Sequence, residues 1–461
     1  MSQTDFTTLN INNALLENLE SLNYLTMTPI QAQSLPLMLE GRDVIAQGKT
    51  GSGKTAAFGL GLLSKLDAKS FSVQSLVLCP TRELADQVAT EIRRIARGIG
   101  NVKVLTLCGG SPFGPQIGSL EHGAHIVVGT PGRIQEHLKK SSLNLDNLTT
   151  FVLDEADRML DMGFQPALDA ITEYVPASRQ TLLFSATFPK QIQAIAKRIM
   201  REPVVVKVEG THDDTSIKQH FYKVNDDERI IALRLLLLHY RPDSTLIFCN
   251  TKRDTQQVAD ALRNYGFSVL ALHGDLDQKD RDQTLIRFAN KSASILVGTD
   301  VAARGLDIDS LDAVINYHIS PDSEIHLHRI GRTGRAGNKG IACSLFSDKE
   351  SYKMAVLEEY LEQTIEPEQL PPSSTLENPV FKPVMATLRI EGGKKQKVRA
   401  GDILGALTAD NAISGKQVGK IHLHDNWSYV AVDRAIAQTA LKKLTQGKLK
   451  GRTFRVRQVK A

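Results

Sequence analysis

Cysteine is scarce in this chain, and what remains is badly placed for cross-linking or metal work. The four cysteines among 461 residues, Cys79, Cys108, Cys249 and Cys343, form no C-x-x-C pair, and each lies in an apolar run. That pattern argues against a disulfide framework or a thiolate metal centre and for reduced core thiols. His122, His125, His137 and His273 fall at no metal-ligand spacing either. No apolar run approaches the ~20 residues of a membrane span, and the first residues lack the basic and apolar pattern of a secretory leader. The expectation is a cytoplasmic protein without membrane association.

A hydrophobic content of 41% and a charged content of 23% are those of an ordinary globular protein. A chain this long splits into two or three domains. The net charge of +5 conceals an asymmetry: residues 380–461 hold 17 Lys and Arg against 5 Asp and Glu, a net +12, so the remainder is −7. A basic module on a mildly acidic body suggests separate tasks, with the module facing a polyanion.

Apolar strand-like runs alternate with amphipathic helical stretches. SLVLCP (75–80), HIVVGTP (125–131), TFVLDEAD (150–157) and TLLFSAT (181–187) each end in polar residues. Near-continuous apolar strands separated by helices predict a parallel sheet buried on both faces, with the polar strand exits along one rim. The stretch 209–216 reads as a linker. The rhythm then resumes in STLIFCNT (244–251), SVLALHGD (268–275), ASILVGTD (293–300), AVINYHI (313–319) and IACSLFS (341–347), without a phosphate loop. A second linker, 366–379, combines Pro, Ser and Glu and is expected to be exposed. Residues 380–461 follow a strand–helix–strand–strand–helix–strand order, the ferredoxin-like pattern that RNA-recognition modules use. Stacking aromatics are thin there, with Tyr429 alone in the third strand and Leu388 and Ile390 in the first. An RNA-binding module with an unusual surface and a protein-docking unit both fit.

Two motifs carry the chemistry. GKTGSGKT (48–55) fits Gly-x-x-x-x-Gly-Lys-Ser/Thr, in which backbone N–H groups cradle phosphates. Gly48, Thr50, Gly51, Ser52 and Gly53 would form the cradle. Lys54 would reach the outer phosphates and Thr55 would offer a hydroxyl to Mg²⁺. In FVLDEAD (151–157) the apolar run forces Asp154 to the strand's C-terminal end, where open α/β sheets bind ligands. Asp154 would hold Mg²⁺, through water, because that ion keeps most of its hydration. Together the motifs specify a nucleotide-hydrolysis site.

Ten motifs in one order give the resemblance: TMTPIQ (26–31), GKTGSGKT, PTREL (80–84), Gly109-Gly110, TPGR (130–133), DEAD (154–157), SAT (185–187), QKDR (278–281), TDVAARGLD (299–307) and HRIGRTGR (328–335). Over residues 6–350 the chain resembles the DEAD-box ATP-dependent RNA helicases. The basic tail with EGGKKQKVRAGDILG (391–405) resembles the bacterial DbpA-type subgroup, which targets large-subunit ribosomal RNA. The resemblance implies two tandem RecA-like parallel-sheet α/β domains, 1–208 and 217–365, then a small α+β ferredoxin-like, RRM-like domain at 380–461. It implies ATP and Mg²⁺ as cofactors. RNA is the implied partner, a 23S rRNA hairpin in pre-50S particles, with no obligate protein partner evident.

The resemblance also assigns roles. Glu155 would position and deprotonate the attacking water. Arg332 and Arg335 match arginine fingers, and Asp307 the ribose contact. Because Lys54 and Arg332 fall on different domains, a complete site is expected only on closure, with RNA as its trigger. Gln31 can pair two ways with adenine, which favours ATP over GTP. Phe6 is placed to stack on the base, or alternatively to staple the first helix. Asn23 stands where the family usually has glycine. Arg82, Gly110, Thr130, Arg133, Gly274 and Thr299 match contacts to the RNA backbone, though Thr130 also suits a helix N-cap. Ser185 and Thr187 would couple the γ-phosphate to RNA. In the tail, Lys394, Lys395, Lys397 and Tyr429 are the candidates for reading RNA. A DNA translocase, or an ATP-regulated RNA clamp with little unwinding, are the competing readings.

Overall fold

The computed structural model describes residues 4–48, 51–208, 217–303, 311–334, 340–409 and 412–459. Its strands, in chain order, are β1 (Val44–Gln47), β2 (Ser75–Leu78), β3 (Val104–Leu107), β4 (Ile126–Gly129), β5 (Thr150–Leu153), β6 (Gln180–Ser185) and β7 (Val204–Lys207) in the first sheet. Six follow in the second: β8 (Ile217–Lys223), β9 (Thr245–Phe248), β10 (Val269–Leu272), β11 (Ile295–Gly298), β12 (Ala313–Asn316) and β13 (Gly340–Phe346). The third holds β14 (Met385–Ile390), β15 (Val418–Leu423), β16 (Ser428–Asp433) and β17 (Val456–Gln458).

The first sheet runs β3-β4-β2-β5-β6-β1-β7 with parallel pairing at every junction. Its inner strands are buried almost throughout because helices cover both faces. Val152, Leu182 and Phe184 enter one core with Phe58, Leu60 and Ile92, while Phe151, Leu153 and Leu183 enter the other with Met159 and Ile192. Successive residues of one strand thus serve opposite layers, as strand geometry demands. Parallel direction puts every strand's C-terminal end on one rim. On it, three neighbours (β3, β4, β2) lie to one side and three (β5, β6, β1) to the other. The second sheet, β10-β11-β9-β12-β13-β8, is also parallel throughout.

The third sheet is antiparallel, in the order β15-β16-β14-β17, which is ferredoxin-like. Leu388, Ile390, Val430 and Val432 face its two helices. The alternate residues, on the other face, are also buried: Thr387, Arg389, Tyr429 and Ala431. That face is turned toward the second RecA-like domain. Asn290 donates to the Thr387 hydroxyl at 3.2 Å, Thr387 donates to Ser292 at 2.8 Å, and His422 Nε2 lies 3.0 Å from Asn290 Oδ1. The chain leading there is tethered too. Most of 366–379 is exposed, as expected of a connector, but Leu370 and Leu376 pack on the second sheet's core, and the Glu368 N–H donates to the Phe221 carbonyl at 2.7 Å. Phe381 packs edge-on against Phe267. Among the described residues no helix is long and apolar enough to cross a membrane.

Candidate nucleotide and RNA site

The phosphate loop leaves β1 and enters the helix Lys54–Ser64 through Gly53, whose φ of 93° lies in the left-handed region. A Cβ there would stand 2.6 Å from Gln31 Nε2 and 2.9 Å from the Thr28 hydroxyl, so only glycine fits. The TMTPIQ segment is the loop's backing. Thr28 Oγ1 donates to the Ser52 carbonyl at 2.7 Å, and Gln31 Nε2 donates to the Gly53 carbonyl at 3.1 Å while its oxygen accepts from the Thr28 N–H at 2.9 Å. Gln31 is 1% exposed and acts here as a brace. Lys54 is buried, and its ammonium donates to the Gly48 carbonyl at 2.5 Å, folded back onto the loop it serves.

Asp154 and Glu155 close β5, and both are buried. Burial, then the adjacent Glu155 charge, pushes the Asp154 carboxyl up to about 7, against the pull of Lys54. A buried carboxylate left short of positive charge calls for a cation. With the Thr55 hydroxyl it would make an all-oxygen donor set of the kind that suits Mg²⁺. Glu155 has φ 51°, a left-handed turn at a non-glycine residue, and starts the helix Ala156–Asp161. This turn breaks the strand alternation that would otherwise aim Asp154 and Glu155 to opposite faces.

Asp157 reaches across to β6. Its carboxylate accepts from the Ala186 N–H at 3.1 Å, the Thr187 N–H at 2.9 Å and the Thr187 hydroxyl at 3.0 Å, and its own N–H donates to Ser185 Oγ at 3.4 Å. Despite burial, these bonds and the Arg158 charge hold Asp157 below the usual carboxylate range. The Gly48 N–H donates to the Ser185 carbonyl at 3.1 Å. The SAT segment therefore touches both the phosphate loop and the acidic strand end.

The RNA candidates of this sheet lie at β3, β4 and β2. Gly110 is exposed with φ 76°. Thr130 stands at the N-cap of the helix Pro131–Lys139 without a side-chain capping bond. Arg133 donates to the Ser111 carbonyl at 3.0 Å and pairs with Glu136 at 3.1 Å, tying the Gly109-Gly110 turn to the TPGR turn. Arg82 opens the helix Arg82–Ile95, half-buried. In the second sheet, Gly274 follows β10 and Thr299 follows its neighbour β11.

Two expectations need correction. Phe6 is buried in the same apolar cluster as Leu9, Ile11 and Leu15, which favours the packing alternative over stacking on a base. Tyr429 is 3% exposed on the covered sheet face and offers no stacking platform, whereas Lys394, Lys395 and Lys397 are exposed. Thr50, Asp307 and Arg335 lie outside the described residues. Asn23 adopts φ 61°, a conformation that asparagine tolerates better than most residues, which explains its substitution for glycine.

Sequence reasoning passed over Asp157, Arg158 and Arg329. Arg329 is fully buried: it pairs with both oxygens of Asp300 at 2.6 and 2.7 Å, and donates to Asn250 at 3.0 Å, Asn316 at 3.2 Å and the His318 carbonyl at 2.8 Å. It anchors the helix Ser323–Ile330, after which Arg332 follows, to the residue beside Thr299. Its place inside HRIGR was the available signal.

Three family models match in succession: DEAD/DEAH box helicase at residues 28–195, Helicase conserved C-terminal domain at 228–337 and DbpA RNA binding domain at 387–458. The chain is 54% identical over 458 residues to the ATP-dependent RNA helicase DbpA of Escherichia coli (strain K12), covering 99% of this chain and 100% of that one. It is 44% identical over 356 residues to the DEAD-box ATP-dependent RNA helicase CshA of Bacillus cereus (strain ATCC 10987 / NRS 248), covering 77% and 68%. Among solved structures, S. cerevisiae Dbp5 bound to RNA and ADP BeF3 is similar with a TM-score of 0.73 at 30% identity, over 80% of this chain and 96% of that one. With one likeness running its whole length, the chain belongs to the DEAD-box ATP-dependent RNA helicases of the DbpA type.

Proposed function

We propose that Glu155 is the general base of the RNA-stimulated ATPase and that the basic C-terminal module selects a hairpin of 23S ribosomal RNA in the assembling large subunit. The observation that carries the first part is the pair of buried carboxylates at the end of β5, one tied into the strand end and one turned out of strand alternation. Glu155 takes a proton from water as the water oxygen bonds the γ-phosphorus. The bond from that phosphorus to the bridging oxygen breaks, and ADP leaves with the electron pair. Lys54 and the loop N–H groups hold the phosphates, and Arg332 neutralises the charge of the transferring group. Asp154 and Thr55 would hold Mg²⁺, which supplies charge neutralisation on the phosphates. Gln31 selects adenine.

The second part rests on the match to the DbpA RNA binding domain, the +12 charge and an exposed basic loop. The loop's Lys394 N–H donates to the His424 carbonyl at 2.8 Å and the Lys395 N–H to the Asp425 carbonyl at 2.9 Å, bringing the lysines beside Trp427; Phe454 packs at Gly392. With the sheet face covered, this end of the module supports recognition by phosphate contacts and partly exposed rings. ATPase stimulation measured across structured ribosomal RNA fragments tests it: one hairpin should act at far lower concentration than the rest. Equal stimulation by all fragments contradicts target selection.

A further inference from the structure

Four residues after the Mg²⁺ candidate stands a charge that the chemistry above does not use. Arg158 lies one helical turn beyond Glu155, in the helix Ala156–Asp161, and is buried. Its Nε stands 3.3 Å from Glu155 Oε2, with both side chains nearly out of contact with solvent. A buried guanidinium left without a counter-charge is costly, so this pair is not incidental. The alignment is that of an ion pair and not of a hydrogen bond, for Glu155 Oε2 is buried without a hydrogen-bond partner. The carboxylate is therefore held by charge, and its Oε2 takes no hydrogen bond from the protein.

Arg158 also stands next to the residue that links β5 to β6. Its own N–H donates to Asp157 Oδ1 at 2.9 Å, and Asp157 Oδ2 holds the Ala186 and Thr187 N–H groups. The ion pair at Glu155 and the hydrogen bonds at Thr187 thus meet on one short helix. A shift of that helix moves both.

We propose that Arg158 is a positioning residue for hydrolysis: it fixes the Glu155 carboxylate over the water that attacks ATP and ties that placement to the Asp157–Thr187 link. This rests on Glu155 being the base. Glu155 sits on a left-handed backbone turn whose side chain strand geometry does not direct, so a partner must orient it. Arg158 is the cation found against it.

The test uses the full chain with RNA, comparing wild type, Glu155→Gln, Arg158→Gln and the double variant by single- and multiple-turnover ATP hydrolysis. Arg158→Gln should lower kcat about tenfold or more while KM for ATP and the half-saturating RNA concentration stay within about twofold, since positioning acts on the transition state. On the Glu155→Gln background the same change should cost nothing further, because residues acting as a unit are not additive. Arg158→Met keeps the apolar stem and replaces Arg158→Gln if the latter fails to fold. Wild-type kcat in the neutral variant overturns the inference. So does a loss that multiplies with Glu155→Gln, or one that appears as a higher KM. If Glu155→Gln alone turns over normally, the base assignment falls and the inference with it; the single variant identifies that case.

Discussion

The two sides of the first sheet's rim are built from the same strand–loop–helix units yet differ in how their side chains are held. At β5, β6 and β1, Asp154, Glu155, Asp157 and Lys54 are buried, with Lys54 bonded back to its own loop and Asp157 to the segment after β6. At β3, β4 and β2, Gly110 is exposed and Arg82, Thr130 and Arg133 are half-buried. Hydrolysis needs charges fixed to fractions of an ångström in a dry site, and burial supplies that. Gripping a sugar-phosphate backbone needs N–H groups and cations that remain wet and reachable. The SAT segment belongs to the first side, and through Asp157 it carries that order up to the boundary between them.

The largest effect that would sharpen this contrast comes from the other RecA-like domain. Arg332→Ala should lose about 10³-fold or more in turnover, the range of fingers in related NTPases, with ATP affinity nearly unchanged. Lysine should rescue poorly, since it lacks the planar fork. An equal loss in affinity and rate, read by nucleotide titration beside turnover, would make Arg332 a ground-state ligand.

Asp154 gives the next effect, on stability. Its folded pKa of about 7 lies above the ordinary 3.8, so the folded state holds the proton more tightly. The contribution of Asp154 to stability without nucleotide and metal is therefore full below pH 3.8, falls as pH rises toward about 7, and is lost above. Asp154→Asn should remove this slope and be the more stable protein at pH 8. Denaturant titrations at several pH values check it; parallel curves for both proteins would mean the acidic side is less dry than its burial indicates.

Gln31→Ala should narrow the preference for ATP over GTP, one bidentate base contact being worth about 1–3 kcal/mol. Competition binding reads it, and an unchanged preference leaves Gln31 as a brace alone. The smallest effect lies on the wet surfaces. Lys394→Ala should weaken RNA binding and flatten its log–log salt dependence by about one unit. A salt slope identical to wild type removes Lys394 from the phosphate contacts.

Much of this was legible before the fold. SLVL, IVVG and TFVL read as strands because both faces of a parallel sheet are apolar, and their polar exits marked the rim. The role of Arg329 was not legible, since Asn250, Asp300 and Asn316 come from separate strand ends and only the fold gathers them. Phe6 and Tyr429 misled for a related reason. A sequence displays a ring but not what covers it, and the cover over the sheet face of Tyr429 belongs to another domain. The tether at Leu370 and Leu376 was hidden in a segment whose Pro, Ser and Glu content reads as open chain.

The contrast between the two sides of the rim is tested most directly by pairing one substitution from each and measuring turnover against RNA concentration. Glu155→Gln should cut turnover to a small residual rate while RNA and ATP still bind. Arg133→Gln should raise the half-saturating RNA concentration while kcat at saturating RNA stays near wild type. If both variants lose kcat and RNA affinity together, the rim is one undivided site and the separation of chemistry from grip is wrong.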